Sequence, residues 1–119
     1  MRNYQRQKNN PYKLPHNLYM RMLYTVRDYE RIKAEREEIM HGEYYGRNPT
    51  ESRGIRLASM VASCDAVDKA LQEIPKEYRN GVWCNVCYQK PYPIDAGEAT
   101  YARYRGKFLY MVAKNLGEI

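Results

Sequence analysis

The stretch from Ile94 to Ile119, IDAGEATYARYRGKFLYMVAKNLGEI, constrains the fold most, because it reads as a helix with two unlike faces. At 3.6 residues per turn, Tyr101, Tyr104, Phe108, Met111, Val112 and Leu116 share one apolar stripe. Thr100, Arg103, Lys107, Tyr110 and Lys114 fall together on the opposite side. Asp95, with Glu98 three residues later, makes a capping-box-like start, although Asp replaces the usual Ser or Thr. Acids at the N-terminal end and Lys114 near the C-terminal end suit the helix dipole, and Gly117 marks a stop. Such a helix has two readings. One is an amphipathic element with a solvated basic face. The other is a DNA-recognition helix that offers Arg, Lys, Thr and Tyr to phosphates and base edges.

Upstream, helical periodicity recurs. Residues 1–13 are polar and basic and read as a flexible arm, suited to tracking a phosphate backbone or simply to aiding solubility. Pro15 fits the first turn of a long helix running to Met40, with Leu18, Met22, Val26, Tyr29, Ile32 and Ile39 as its stripe and Tyr19 and Leu23 broadening it. HGEYYGRNP, His41 to Pro49, reads as a break, and Thr50 opens an N-cap region. A second helix is predicted from Thr50 to Glu73. Its Leu57, Met60, Val61, Cys64, Val67, Leu71 and Ile74 repeat at 3.5-residue spacing, which predicts an antiparallel hairpin with the first. Pro75 opens a short third helix with Tyr78, Val82 and Val86 on its apolar face and Trp83 as a further candidate for it. KPYPID then forces an extended turn, since each proline removes a donor and restricts the residue before it. The predicted fold is therefore all-α: a helical hairpin over 14–74 and a helix-turn-helix-like pair over 75–119, packed as one domain.

The net charge of +6 is unevenly spread. Met1 to Lys33 holds eight basic and two acidic residues, Ala34 to Pro75 five and eight, and Lys76 to Ile119 seven and four. Two basic ends around an acidic middle suit a polyanion partner touched by both ends. Three cysteines, an odd number, argue against a disulfide framework and for a reducing compartment. Cys84 and Cys87 have C-x-x-C spacing, but His16, His41 and Cys64 lie far off in sequence, so structural cysteines are expected and no metal or cofactor. MRNYQRQKNN has no apolar run, and no stretch approaches membrane-spanning length, so a cytoplasmic protein without membrane contact is expected. No nucleophile-base set, paired catalytic carboxylates or phosphate-cradling glycine loop is apparent, and an enzyme is not expected.

Three passages carry a family resemblance: Thr50 to Arg56, VDKALQEIPKEYR (Val67 to Arg79) and YPIDAGEATYARYRGKFLYMVAKNLGEI (Tyr92 to Ile119). Together they resemble the phage-encoded transcriptional regulators of the RinA/ArpU type, whose C-terminal helix-turn-helix is akin to region four of sigma factors. The phrase from Ala70 to Arg79 is similar to the opening of the third helix in that region, and Ala99 to Leu116 resembles the family's recognition helix. The resemblance spans roughly residues 14 to 119. It departs where sigma region four has a further small helix, since the interval here holds only KPYPIDAGEA.

The resemblance implies a sequence-specific activator of phage late genes that binds double-stranded DNA, with RNA polymerase as a second candidate partner; the length of the first helix's apolar stripe makes a homodimer a candidate assembly. It implies base or phosphate contacts from Thr100, Arg103 and Lys107. Arg103 is the candidate for a bidentate guanine contact, with Lys107 and Lys114 on phosphates. Arg105 projects toward the apolar side and is expected to snorkel or to pair with an acid. The reading from a different class is a non-enzymatic interaction, assembly or inhibitor protein that uses the hairpin and a tyrosine-rich surface. RNA binding shares the charge pattern but lacks an aromatic platform on strands.

Overall fold

The structure, a computed structural model, describes Gln5, residues 9–44 and residues 51–119, with the side chains of 42–44 and 51–53 left out. Those residues form α1 (His16–Arg27), α2 (Tyr29–Tyr44), α3 (Glu51–Gln72), α4 (Lys76–Tyr88) and α5 (Glu98–Asn115). No strand occurs among them, so the fold is all-α. The core draws on four of these helices. Tyr19, Met22, Leu23 and Val26 of α1 meet Val67, Ala70 and Ile74 near the end of α3, Val82 and Val86 of α4, and Tyr101, Phe108, Leu109, Val112 and Ala113 of α5. α5 is the hub, packing against α1, α3 and α4. A helix held from three sides needs a wider apolar face than one stripe, and Leu109 and Ala113 supply it beside Tyr101, Phe108 and Val112.

The first helix is not continuous to Met40. Asp28, at φ −85° and ψ −5°, divides it into α1 and α2. Asp28 serves both halves: its N–H donates to the Tyr24 carbonyl (3.0 Å), and its own carbonyl accepts from Ile32 (2.9 Å). Aspartate favours such a position at a helix start. Neighbouring side chains hold it there. Arg31 grips the Asp28 carboxylate at 2.8 Å, and Arg27 turns away to donate from Nε to the Val86 carbonyl at 2.8 Å. α2 also runs on through Gly42 to Tyr44, past the expected break at His41. Residues 45–49 and the expected N-cap Thr50 lie outside the described residues. α3 falls within one residue of its expected bounds at either end.

Helix ends are tied by long-range contacts. Pro15 and Pro75 occupy the N-cap positions of α1 and α4, one residue ahead of the expected first turn, with φ fixed at −52° in both. Arg79 of α4 reaches back to α3 and donates to the Ile74 carbonyl (2.7 Å) and the Gln72 carbonyl (3.1 Å), satisfying groups the helix leaves open. α5 ends in a Schellman turn. Glu118 N–H donates to Ala113 (2.9 Å), Gly117 N–H donates to Lys114 (3.0 Å), and Gly117 takes φ +73°, which glycine adopts without strain.

Candidate nucleic-acid interface

The start of α5 differs from the capping box expected at Asp95. Gly97 is the N-cap and Glu98 the first helical residue. Asp95 instead accepts a hydrogen bond from the Tyr101 hydroxyl at 2.7 Å, which fixes the proline-rich connector to the helix it precedes. The connector supplies a ring as well: Tyr92 stacks on Tyr101, centroids 5.3 Å apart and planes within 11°. Tyr78 of α4 meets Tyr101 edge-on at 5.3 Å and stacks on Tyr104 at 5.0 Å. Such pairs contribute about 0.5–1.5 kcal/mol each beyond the area they bury. Four tyrosines therefore join α4, the connector and the first two turns of α5.

The outermost member of this stack touches a candidate site residue. The Arg103 guanidinium lies over the Tyr104 ring at 5.0 Å, and Arg103 itself is exposed. Lys114 is exposed near the far end of the helix; Thr100, ahead of Arg103, and Lys107, between Arg103 and Lys114, are half-buried. α5 thus carries Thr100, Arg103, Lys107 and Lys114 along its outward side. Among the described residues, Arg103, Lys107 and Lys114 form no ion pair, so their charge is not neutralised from within. Tyr110 is set apart from that group. It is half-buried and packs edge-on against Tyr12 at 5.5 Å, so residues 9–13 of the expected arm lie against this flank of α5. Within the segment ahead of α1, Gln5 accepts from the Leu14 N–H at 2.8 Å.

Arg105 neither snorkels nor pairs with an acid. It is 7% exposed and donates from Nη1 to the Tyr19 hydroxyl, with its guanidinium 5.9 Å from the Tyr19 ring. Its Nε and Nη2 are shut off from solvent and have no hydrogen-bond partner among the described residues. The sequence signal was present, because Arg105 lies one turn from Tyr101 and one turn from Leu109 on the buried side.

The cysteine pair has local structural partners. Cys84 donates to the Asn80 side chain and Cys87 to the Val26 carbonyl, each at 3.7 Å. Burial pushes the Cys87 thiol up to about 12, which disfavours the thiolate that redox and metal chemistry require. No group of three or more His, Cys, Asp or Glu able to hold a metal occurs among the described residues. No helix among them is long and apolar enough to cross a membrane.

Raised pKa values set an alkaline limit, those of Tyr101 and Cys87 among them. The bond to Asp95, aided by burial, raises the Tyr101 phenol from 10 to about 12, and Cys87 rises from 9. Both groups are neutral when protonated, so the native state holds these protons more tightly than the unfolded chain does. Their stabilisation is complete below pH 9 and declines as pH rises from 9 through 12. Urea titrations across that range are expected to show the decline, and Tyr101→Phe is expected to make it shallower. An unfolding free energy independent of pH up to 12 would contradict the assignment.

Comparison of the chain with protein-family models, with curated proteins and with solved structures found no match.

Proposed function

We propose that the chain is a sequence-specific DNA-binding transcriptional regulator, an activator of phage late genes, reading DNA with the outward side of α5. The observation that carries this reading is the row of Arg103, Lys107 and Lys114, cations with no acid partner among the described residues, on a helix whose other sides are fixed by α1, α3 and α4. A preorganised guanidinium on a rigid helix suits a bidentate contact to guanine, and Tyr104 braces Arg103 for that role. Lys107 and Lys114 suit phosphates, which supply affinity that falls steeply with salt. In this reading α4 and α5 form the helix-turn-helix-like pair. The reversed order of the contacts Tyr29–Asp68 and Glu35–Arg56 supports an antiparallel α2–α3 hairpin beside it. RNA polymerase and a second copy of the chain are the further partners proposed.

The test is retention of sheared DNA from the source replicon at two salt concentrations, followed by sequencing. Retention of a few discrete loci at the higher salt is expected. Arg103→Ala is expected to weaken binding to such a locus by about 1–3 kcal/mol and to relax selectivity at one base pair. Lys114→Ala is expected to weaken all sequences alike and to reduce the salt slope by about one. Equal and unselective losses from both variants would remove Arg103 as a base reader.

One observation favours the second reading, a non-enzymatic interaction or assembly protein. Met40 of α2 and Ile55 of α3 are 52% and 67% exposed, toward the connected ends of the two helices. Uniform DNA retention that vanishes with salt, together with a concentration-dependent sedimentation coefficient, would move that reading ahead.

A further inference from the structure

Beside α5 lies a cleft of about 880 Å³, within the range of small-molecule sites. Residues preceding α1, the proline-rich connector and the start of α5 line it, with Tyr19, Asn85, Tyr92 and Arg105 among the contributors. Arg105 is the unusual member. A guanidinium cannot shed its proton, so the charge is permanent. Its Nη1 is taken by the Tyr19 hydroxyl, while Nε and Nη2 are buried and unpartnered among the described residues. Those two N–H groups form one edge of the guanidinium, the fork that accepts two oxygens of a carboxylate or phosphate side by side. A buried charge without a counter-charge is costly, and supplying the counter-charge relieves that cost.

We infer that this cleft binds a small oxyanion, the phosphate or carboxylate group of a small molecule, with Arg105 as its anchor. The Nε–Nη2 edge is closed to solvent, so the anion reaches it by displacing neighbouring side chains and not by settling on an open surface. Glu98 is the one carboxylate among the described residues that line the cleft, and it makes no ion pair with Arg105. Its negative charge opposes the ligand and selects against highly charged anions. A DNA backbone phosphate offers the same chemistry, and the experiment separates the two sources. The inference does not depend on the DNA-binding reading.

The experiment is a titration of the ¹⁵N-labelled wild-type chain with inorganic phosphate, and separately with succinate, at constant ionic strength and without DNA. The Arg105 Nε–H resonance, assigned by its loss in Arg105→Lys, is expected to move downfield and saturate with at least one of the two anions. In parallel, thermal melts of wild type are expected to rise by about 4 °C or more at saturating anion, as for any ligand that binds only the folded chain. Arg105→Met is expected to melt higher than wild type without anion and to show no rise with it. Glu98→Gln is expected to bind the anion more tightly than wild type. The inference is overturned if neither anion moves the wild-type resonance, if a DNA duplex moves it and the small anions do not, or if Arg105→Met gains as much from anion as wild type. A response confined to Glu98→Gln also overturns it, since Glu98 then serves as the internal counter-charge. Should Arg105→Met fail to fold, the wild-type titration decides alone.

Discussion

Gly81→Ala is expected to destabilise the protein by about 1–3 kcal/mol, against the direction helix propensity dictates. In the interior of an exposed helix, alanine gains about 1 kcal/mol over glycine. Gly81 is buried in α4, where an added Cβ meets Tyr101 Cε1 at 2.6 Å and Pro93 Cδ at 2.9 Å. Neither neighbour can give way. Tyr101 is stacked on by Tyr92, met edge-on by Tyr78 and held by Asp95, and the Pro93 ring is part of the connector backbone. Gly54 provides the control, because nothing lies within 4 Å of its added Cβ. Gly54→Ala in exposed α3 is expected to stabilise by about 0.5–1 kcal/mol. Urea midpoints of the two variants should move in opposite directions with unchanged m. A rise for Gly81→Ala would mean that the connector does not press on α4.

The largest single loss is expected from Phe108→Ala, about 3–5 kcal/mol. Phe108 has no solvent exposure and faces Trp83 of α4, ring centroids 6.4 Å apart. Trp83 in turn meets Tyr29 at the start of α2 edge-on at 5.2 Å. Truncation leaves a cavity where three helices meet, and the fixed helix ends around it limit collapse into the space. Urea unfolding followed by far-ultraviolet circular dichroism measures the loss. A cost below about 1.5 kcal/mol would mean that α4 and α5 close up freely, and would weaken the case that α5 is a rigid reading surface.

Much of the fold was legible as periodicity. The 3.5-residue repeat of α3 and the two faces of α5 are local patterns, and burial follows them: Met60, Cys64, Val67 and Ile74 are buried, as are Tyr101, Phe108 and Val112. Several of the misses arise where a side chain is committed to a partner that local rules do not foresee. Asp95 was committed to Tyr101 and so did not cap α5. Arg27 was committed to the Val86 carbonyl beside the interruption at Asp28. Arg105 kept its place on the buried side because Tyr19, 86 positions away, offers a hydroxyl and a ring. For the candidate site, the helical wheel separated Thr100, Arg103, Lys107 and Lys114 from the core. It could not reveal that Tyr12 packs on Tyr110, because that contact joins opposite ends of the chain.

The interruption at Asp28 has a kinetic consequence. α1 contributes four fully packed side chains to the core, whereas no α2 residue whose side chain is described is fully buried. Among the described residues, Glu35 with Arg56 is the one ion pair that joins α2 to α3; it lies at the surface, where such pairs contribute little. Amide protons beyond Ile32 should therefore exchange with deuterated solvent through local opening, at a free energy well below that of global unfolding. Those of α1 and α5 should exchange only when the whole domain opens. The molecule would then have two tiers of protection, with the boundary at a single aspartate.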